Sequence, residues 1–132
     1  RMSTGIDHNR MVLLMAVLEK KVGMRLYDQD AYVNVAGGIK IDEPAADLAV
    51  LVAIGSSFKN RPVKENVVII GEVGLSGEVR AVAYAEKRDQ EAAKLGFTEA
   101  IIAYENAEDC QNSAIKVTGV KNVKQAVEIA LI

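Results

Sequence analysis

The sequence predicts an α/β (α+β) fold in which helices pack on a mixed β-sheet that carries a β-hairpin. Three observations point there. Helical and strand patterns alternate along the whole chain, a β-branched run at Val67–Ile70 leads into a glycine-marked turn, and no linker or low-complexity tract divides the 132 residues. At 14.2 kDa the chain reaches roughly 6,800 Å² of folded surface and buries about two-thirds of what it exposes unfolded. That supports one core, so residues 1–132 are read as a single domain.

Each element has its own signal. From His8 to Val22 nearly every position between Met11 and Leu18 is apolar, and Gly23 is a helix stop. A helix this apolar on all sides must be covered by other elements. Leu26 to Ala36 alternates in its second half as a strand does; Gly37-Gly38 breaks it, and Ile39–Ile41 reads as a further short strand. Asp42-Glu43-Pro44 opens a helix, because proline at the first position loses no hydrogen bond and acids complement the positive end of the helix dipole. Its small residues Ala45, Ala46, Ala49, Ala53 and Gly55 let another element approach closely, so it reads as a central helix running to about Phe58.

Val67 through Val73, a Gly74–Gly77 turn and Glu78–Val82 read as a hairpin. Ala85–Leu95 is an amphipathic helix with Gly96 as its stop. Strands follow at Ala100–Tyr104 and Ile115–Val120, separated by a polar turn or short helix. The last helix starts at Asn122, with Gln125 three residues on as in a capping box.

Composition excludes several function classes. Sixteen Lys and Arg against 18 Asp and Glu give a net charge of -2, without the basic bias of a free-standing nucleic-acid binder. Any DNA contact must therefore come from a local patch or from several copies. One cysteine, Cys110, and no CxxC leave neither a disulfide nor a cysteine zinc site, which fits a reducing cytoplasm. The apolar runs are far short of the roughly 20 residues a membrane helix needs, so no membrane partner is expected. Arg1-Met2, followed at once by an apolar helix, reads as a piece of a longer protein.

Few residues offer chemistry. There is no GxxxxGK[ST] phosphate loop, and the glycines of GEVGLSGE lead to a strand and not to a helix N-terminus. His8 is the only histidine, which excludes triads needing a second imidazole and multi-histidine metal sites. Asp42, Glu43 and Asp47 read as helix-start acids before they read as ligands of a hard cation, and no metal site is assigned. Cys110 sits beside Glu108 and Asp109, which raise a thiol pKa and argue against a nucleophile. The basic loop Lys59, Arg61, Lys64 is either solvated charge or a phosphate contact. Arg80, Lys87 and Arg88 would extend it if they converge. With no Trp and 5% aromatics, backbone contact is favoured over base stacking.

The runs DEPAADLAVLVAIGSSFKNRPV, VVIIGEVGLSGEVRAV and EKRDQEAAKLGFTEAIIAYEN, together about Ile41 to Asn106, resemble the proteolytic domain of Lon proteases. GIDHNRMVLLMAVLEKKVGM and DAYVNVAGGIKIDEPAADLAV extend a closer likeness, across essentially the whole chain, to the C-terminal domain of the RadA (Sms) family of bacterial DNA-repair proteins. The Lon resemblance implies a helices-on-mixed-sheet fold and a serine–lysine dyad. Laying EPAAD on the Gly-Pro-Ser-Ala-Gly motif puts Ala45 at the serine position, and counting back from Leu95-Gly96-Phe97 puts Glu86 at the lysine position. Lys87 is one residue off, a rotation of about 100° on a helix. A methyl cannot attack and a carboxylate cannot replace the neutral amine, so no catalytic residue is expected here.

The RadA resemblance implies a non-proteolytic domain of a DNA-repair and recombination ATPase that drives branch migration. Its expected roles are assembly of a homo-oligomer, a hexamer in that family, and contact with single-stranded or branched DNA, with a RecA-type recombinase as a possible partner. ATP, magnesium and zinc belong, on the same resemblance, to a part of such proteins outside these residues. The alternatives are a Lon-type Ser/Lys peptidase and an assembly module that never touches DNA.

Overall fold

The computed structural model describes all 132 residues, Arg1–Ile132. Strand β1 (Met2–Thr4) precedes helix α1 (His8–Val17), which widens into a π-helical turn over Leu18–Val22. Asp7 caps α1 by accepting from the Arg10 amide at 3.2 Å, and Gly23 ends the run with φ 80. Strand β2 (Tyr32–Asn34) pairs in parallel with β1. A 3₁₀ turn at Pro44–Ala46 leads into α2 (Asp47–Lys59), closed by Asn60 in the left-handed region. Then come β3 (Val67–Ile70), β4 (Glu72–Val73), β5 (Val79–Arg80), α3 (Ala85–Lys94), β6 (Glu99–Ala103), a 3₁₀ segment (Tyr104–Cys110), β7 (Lys116–Val120) and α4 (Val123–Ala130).

The central sheet is three-stranded and fully parallel, in the order β3-β6-β7, with Val67 opposite Glu99 and Glu99 opposite Lys116. Parallel strands need cover on both faces. Alternation along β3 and β6 provides it. Val67, Ile69, Ile101 and Ala103 join the main core with α1, α2 and α4, while Val68, Ile70, Ala100 and Ile102 face Ala85 of α3 and Cys110. The main core runs from Met11 to Leu131, and Leu14, Leu18, Leu48, Leu51, Val52 and Ile101 in it are fully buried.

The mixed α/β class holds, and so do the four helices and the strands near Ala100 and Ile115. Three local expectations are corrected. Val67–Ile70 does not continue into the hairpin. Gly71 turns against the Pro44–Ala46 turn, accepting from the Leu48 amide and donating to the Ala45 carbonyl, in a space where a Cβ would lie 2.8 Å from Val79 Cγ1. The hairpin is only β4–β5.

Ile39–Ile41 forms no strand, because the 3₁₀ turn Ala36–Gly38 bends the chain and only the Ile41 amide returns, to the Gly5 carbonyl. The strand expected over Leu26–Ala36 shrinks to Tyr32–Asn34, since its partner β1 has three residues to offer. Between β2 and α2 an apolar groove of about 780 Å³ stays open, lined by Val33, Val35, Ala53 and Phe58 among others. The central helix is thus uncovered on one side, where Ala53, Ser57 and Phe58 are exposed.

Candidate functional site

The start of α2 sits at the C-terminal end of the parallel strands. Pro44 occupies the first turn and the Glu43 carboxylate accepts from the Ala45 amide at 3.2 Å, so the turn is capped from its own side. The Ala45 carbonyl accepts from the Gly71 amide at 2.9 Å, and the residue is 4% exposed. At the position where the Lon resemblance puts a nucleophile, the chain therefore presents a buried methyl.

Two residues on, Asp47 accepts from Arg10 Nε at 2.8 Å, from Arg10 Nη2, and from the Val73 amide at 3.1 Å. This forked pair ties α1, α2 and the hairpin together, and the hydrogen bond to Asp47 holds the Arg10 guanidinium above its ordinary pKa against the opposing effect of burial. The acids at this helix start thus serve the chain's own donors: Asp47 binds Arg10 and Val73, and Glu43 binds Ala45 and Arg88. No group of three His, Cys, Asp or Glu residues is arranged to hold a metal ion.

Glu86 lies in the first turn of α3, exposed, and accepts from Gln90 Nε2 at 3.3 Å. It lines a cavity of about 590 Å³ with Asp89, Glu108, Asp109 and Cys110, which no residue of the Glu43–Asp47 segment lines. The two dyad positions thus belong to different surroundings. The nearest tie between them is Arg88, whose Nη2 lies 3.4 Å from Glu43 Oε1 and whose Nε donates to the Ala83 carbonyl at 2.9 Å.

The six basic candidates fall in two places. Lys59, Arg61 and Lys64 lie at the C-terminal end of α2, by the N-terminal ends of the strands. Lys59 is exposed, Arg61 Nε donates to the Ile132 carbonyl at 2.8 Å, and Lys64 Nζ is 3.8 Å from Glu99 Oε1. Arg80, Lys87 and Arg88 belong to the other end. Arg80 pairs with Glu72 at 3.7 Å and Glu78 at 3.2 Å, and Lys87 is exposed on α3.

Thirteen residues of α2, a rise of roughly 20 Å, separate the ends, so the six do not form one patch. Lys116, not among the six candidates read from the sequence, brings its Nζ to the same Glu99 at 4.0 Å. Only the strand order β3-β6-β7 brings it beside Lys64. On the hairpin, Glu78 is held below its ordinary pKa by backbone N–H bonds and then by Arg80.

Comparisons with known proteins follow the same outline. The family model described as subunit ChlI of Mg-chelatase matches residues 7–106. The DNA repair protein RadA of Halalkalibacterium halodurans is 55% identical over 132 residues, 99% of this chain and 29% of that protein. Its counterparts in Bacillus subtilis and Listeria monocytogenes are 54% and 49% identical with the same coverage. The chain therefore spans less than a third of the length of these relatives. No helix is long and apolar enough to cross a membrane.

Proposed function

The chain belongs to the family described as subunit ChlI of Mg-chelatase, and from that membership and its likeness to RadA we propose that it is a non-proteolytic, Lon-like scaffold domain of a DNA-repair and recombination ATPase. The likeness to RadA, 49–55% identity over 99% of the chain, steers the reading towards DNA repair and away from metal chelation. The observation that carries the non-proteolytic part is the buried methyl of Ala45, on a turn stitched to Gly71, with Glu86 turned to a different cavity. A dyad needs a hydroxyl and a neutral amine in contact, and neither is present at these positions. In the longer protein, binding of ATP, magnesium and zinc falls outside these residues.

Its work in that protein is assembly and DNA contact. Lys64 and Lys116 meet at Glu99, at the N-terminal end of the central strand, and with Lys59 and Arg61 at the end of α2 they make up the basic group at this end of the sheet. A few cations bind phosphates weakly in one copy, but six copies in a ring act at high effective concentration. Single-stranded or branched DNA is the ligand of this reading, and a RecA-type recombinase and a cytoplasmic setting go with it.

The test uses the full-length protein carrying K59E, R61E and K64E. DNA affinity falls, and the slope of log K against log salt becomes shallower by about 2, at ~0.7 per lost phosphate contact on a single strand. An unchanged slope removes this cluster from the interface and leaves Arg80, Lys87 and Arg88 as the remaining DNA candidates; an unchanged slope after their reversal as well leaves an assembly-only domain. Turnover in a peptide-hydrolysis assay restores the peptidase alternative.

A further inference from the structure

Asp89 is 3% exposed, and no donor of the chain reaches its Oδ1. A carboxylate taken out of water without a protein partner is costly, so such a group in a native fold calls for a bound water, a ligand or a strain role. It lines the cavity of about 590 Å³ beside α3, where Glu86, Glu108 and Asp109 stand exposed around it. Lys94 is the one cation among the lining residues, and its ammonium lies 3.5 Å from Glu91, which does not line the cavity. The lining therefore carries four carboxylates against one ammonium.

The same negative charges act on one sulfur. Burial raises the Cys110 thiol above its ordinary pKa, and Asp89, Asp109 and Glu86 add to it.

The carboxylates do not converge closely enough for a metal ion. A ligand with spread charge and several donors fits better, and a guanidinium offers five N–H groups in one plane where an ammonium is a point charge. The source is also constrained. All six arginines of the chain already meet an acceptor within it, Arg1 at Leu26, Arg10 at Asp47, Arg25 at Asp28, Arg61 at Ile132, Arg80 at Glu78 and Arg88 at Glu43. We propose that this pocket binds the guanidinium of an arginine presented by a polypeptide outside these 132 residues, with Asp89 as the buried anchor and Glu86 and Asp109 at the rim. The pocket is a protein-docking point separate from the basic group proposed to contact DNA, and it does not depend on that group.

The experiment titrates Nα-acetyl-arginine amide into the full chain, following the Asp89 carboxyl carbon by NMR, with the neutral isostere Nα-acetyl-citrulline amide, the matching lysine amide and free arginine alongside. Saturable binding is expected, with the citrulline compound weaker by about tenfold or more, as loss of charge-assisted hydrogen bonds requires. D89N loses that binding and gains thermal stability, because the unpaired charge is gone. E86Q, on the exposed rim, weakens binding without changing the fold and serves if D89N folds poorly.

Equal response to the arginine and citrulline compounds, or unaltered binding by D89N or by a folded E86Q, overturns the proposal and leaves solvent as the partner of Asp89. Tighter binding of the lysine amide overturns the choice of guanidinium, and tighter binding of free arginine makes this a small-molecule site. A dimer seen by sedimentation and dissolved by the capped arginine overturns the outside source in favour of a second copy.

Discussion

Asp47 and Asp89 are buried to the same 3%, one on each face of the central sheet, and their surroundings are opposite. Asp47 lies on the face covered by three helices and accepts from two guanidinium nitrogens and one amide. Asp89 lies on the face covered by α3 and a 3₁₀ segment, where the buried apolar cluster is Ala85, Ala100, Ile102 and Cys110. The thick layer could bury a charge only by completing its hydrogen bonds, because a half-satisfied carboxylate would weaken the whole core. The thin layer leaves a cavity next to its carboxylate instead. Burial alone therefore says little about a charge's role, and the count of donors separates a lock from a site.

The largest expected effect comes from opening the lock. Arg10→Ala strands Asp47 with the Val73 amide alone. Removing one partner of a buried pair costs on the order of 3–5 kcal/mol, and Arg10 is 35% exposed, so about 3 kcal/mol is expected. In urea unfolding this shows as a lower midpoint at unchanged slope. Adding Asp47→Asn to Arg10→Ala should recover part of the loss, since the stranded charge is removed. A loss below about 1 kcal/mol for Arg10→Ala would make the two aspartates alike and end the contrast.

How far this contrast was legible in the sequence differs by element. Helix ends were readable because their chemistry is local. Pro44 sits in the first turn as expected, and Asn122 Oδ1 accepts from the Gln125 amide at 2.9 Å, although the Gln125 side chain returns to the Lys121 amide and not to Asn122. Parallel pairing was not readable, because register between β3, β6 and β7 depends on crossovers that leave no periodic trace. For that reason nothing in the sequence set Lys116 beside Lys64, and β1, three residues long, was invisible. The Arg10–Asp47 pair spans 37 residues and has no spacing signature.

Asp89 was hidden by its type. It follows Ala85 by four residues and precedes Ala92 by three, on the buried stripe of α3, yet an aspartate in AEKRDQEAAKL reads as part of the wet face. The position of Ala45 became meaningful only through the Lon resemblance, since alanine itself carries no chemistry.

A second, smaller test concerns how the thin layer begins. Tyr84, just before α3, has φ 60 and ψ 34 and is 76% exposed. An ordinary residue in the left-handed region costs roughly 1–2 kcal/mol, while glycine there adds about 0.5–1 kcal/mol of unfolded-state entropy to be lost. Tyr84→Gly is therefore expected to stabilise by about 0.5 kcal/mol, and Tyr84→Ala, which keeps a Cβ, to give no gain. Equal gains from both in thermal unfolding would mean that the tyrosine ring, and not the backbone, is the source of strain on this face.

The smallest effect is a pH dependence confined to the thin face. The Cys110 thiol stands above its ordinary value of 9.0, first because it is buried and then because Asp89, Asp109 and Glu86 disfavour the thiolate. Between the unfolded and folded values the native state holds the proton that the unfolded state has released. Stability from this group is thus complete below about pH 9 and declines as pH rises towards the folded value. Lysines and tyrosines titrate nearby, so the measurement is a difference: urea unfolding of the native chain and of Cys110→Ala from pH 7 to 10. The native chain should lose more stability over that range, and Asp89→Asn should reduce its excess loss, because one of the three carboxylates is then neutral. If Asp89→Asn leaves that excess untouched, the carboxylate does not act on the sulfur across this face, and the thin layer holds two independent buried groups in place of one charged pocket.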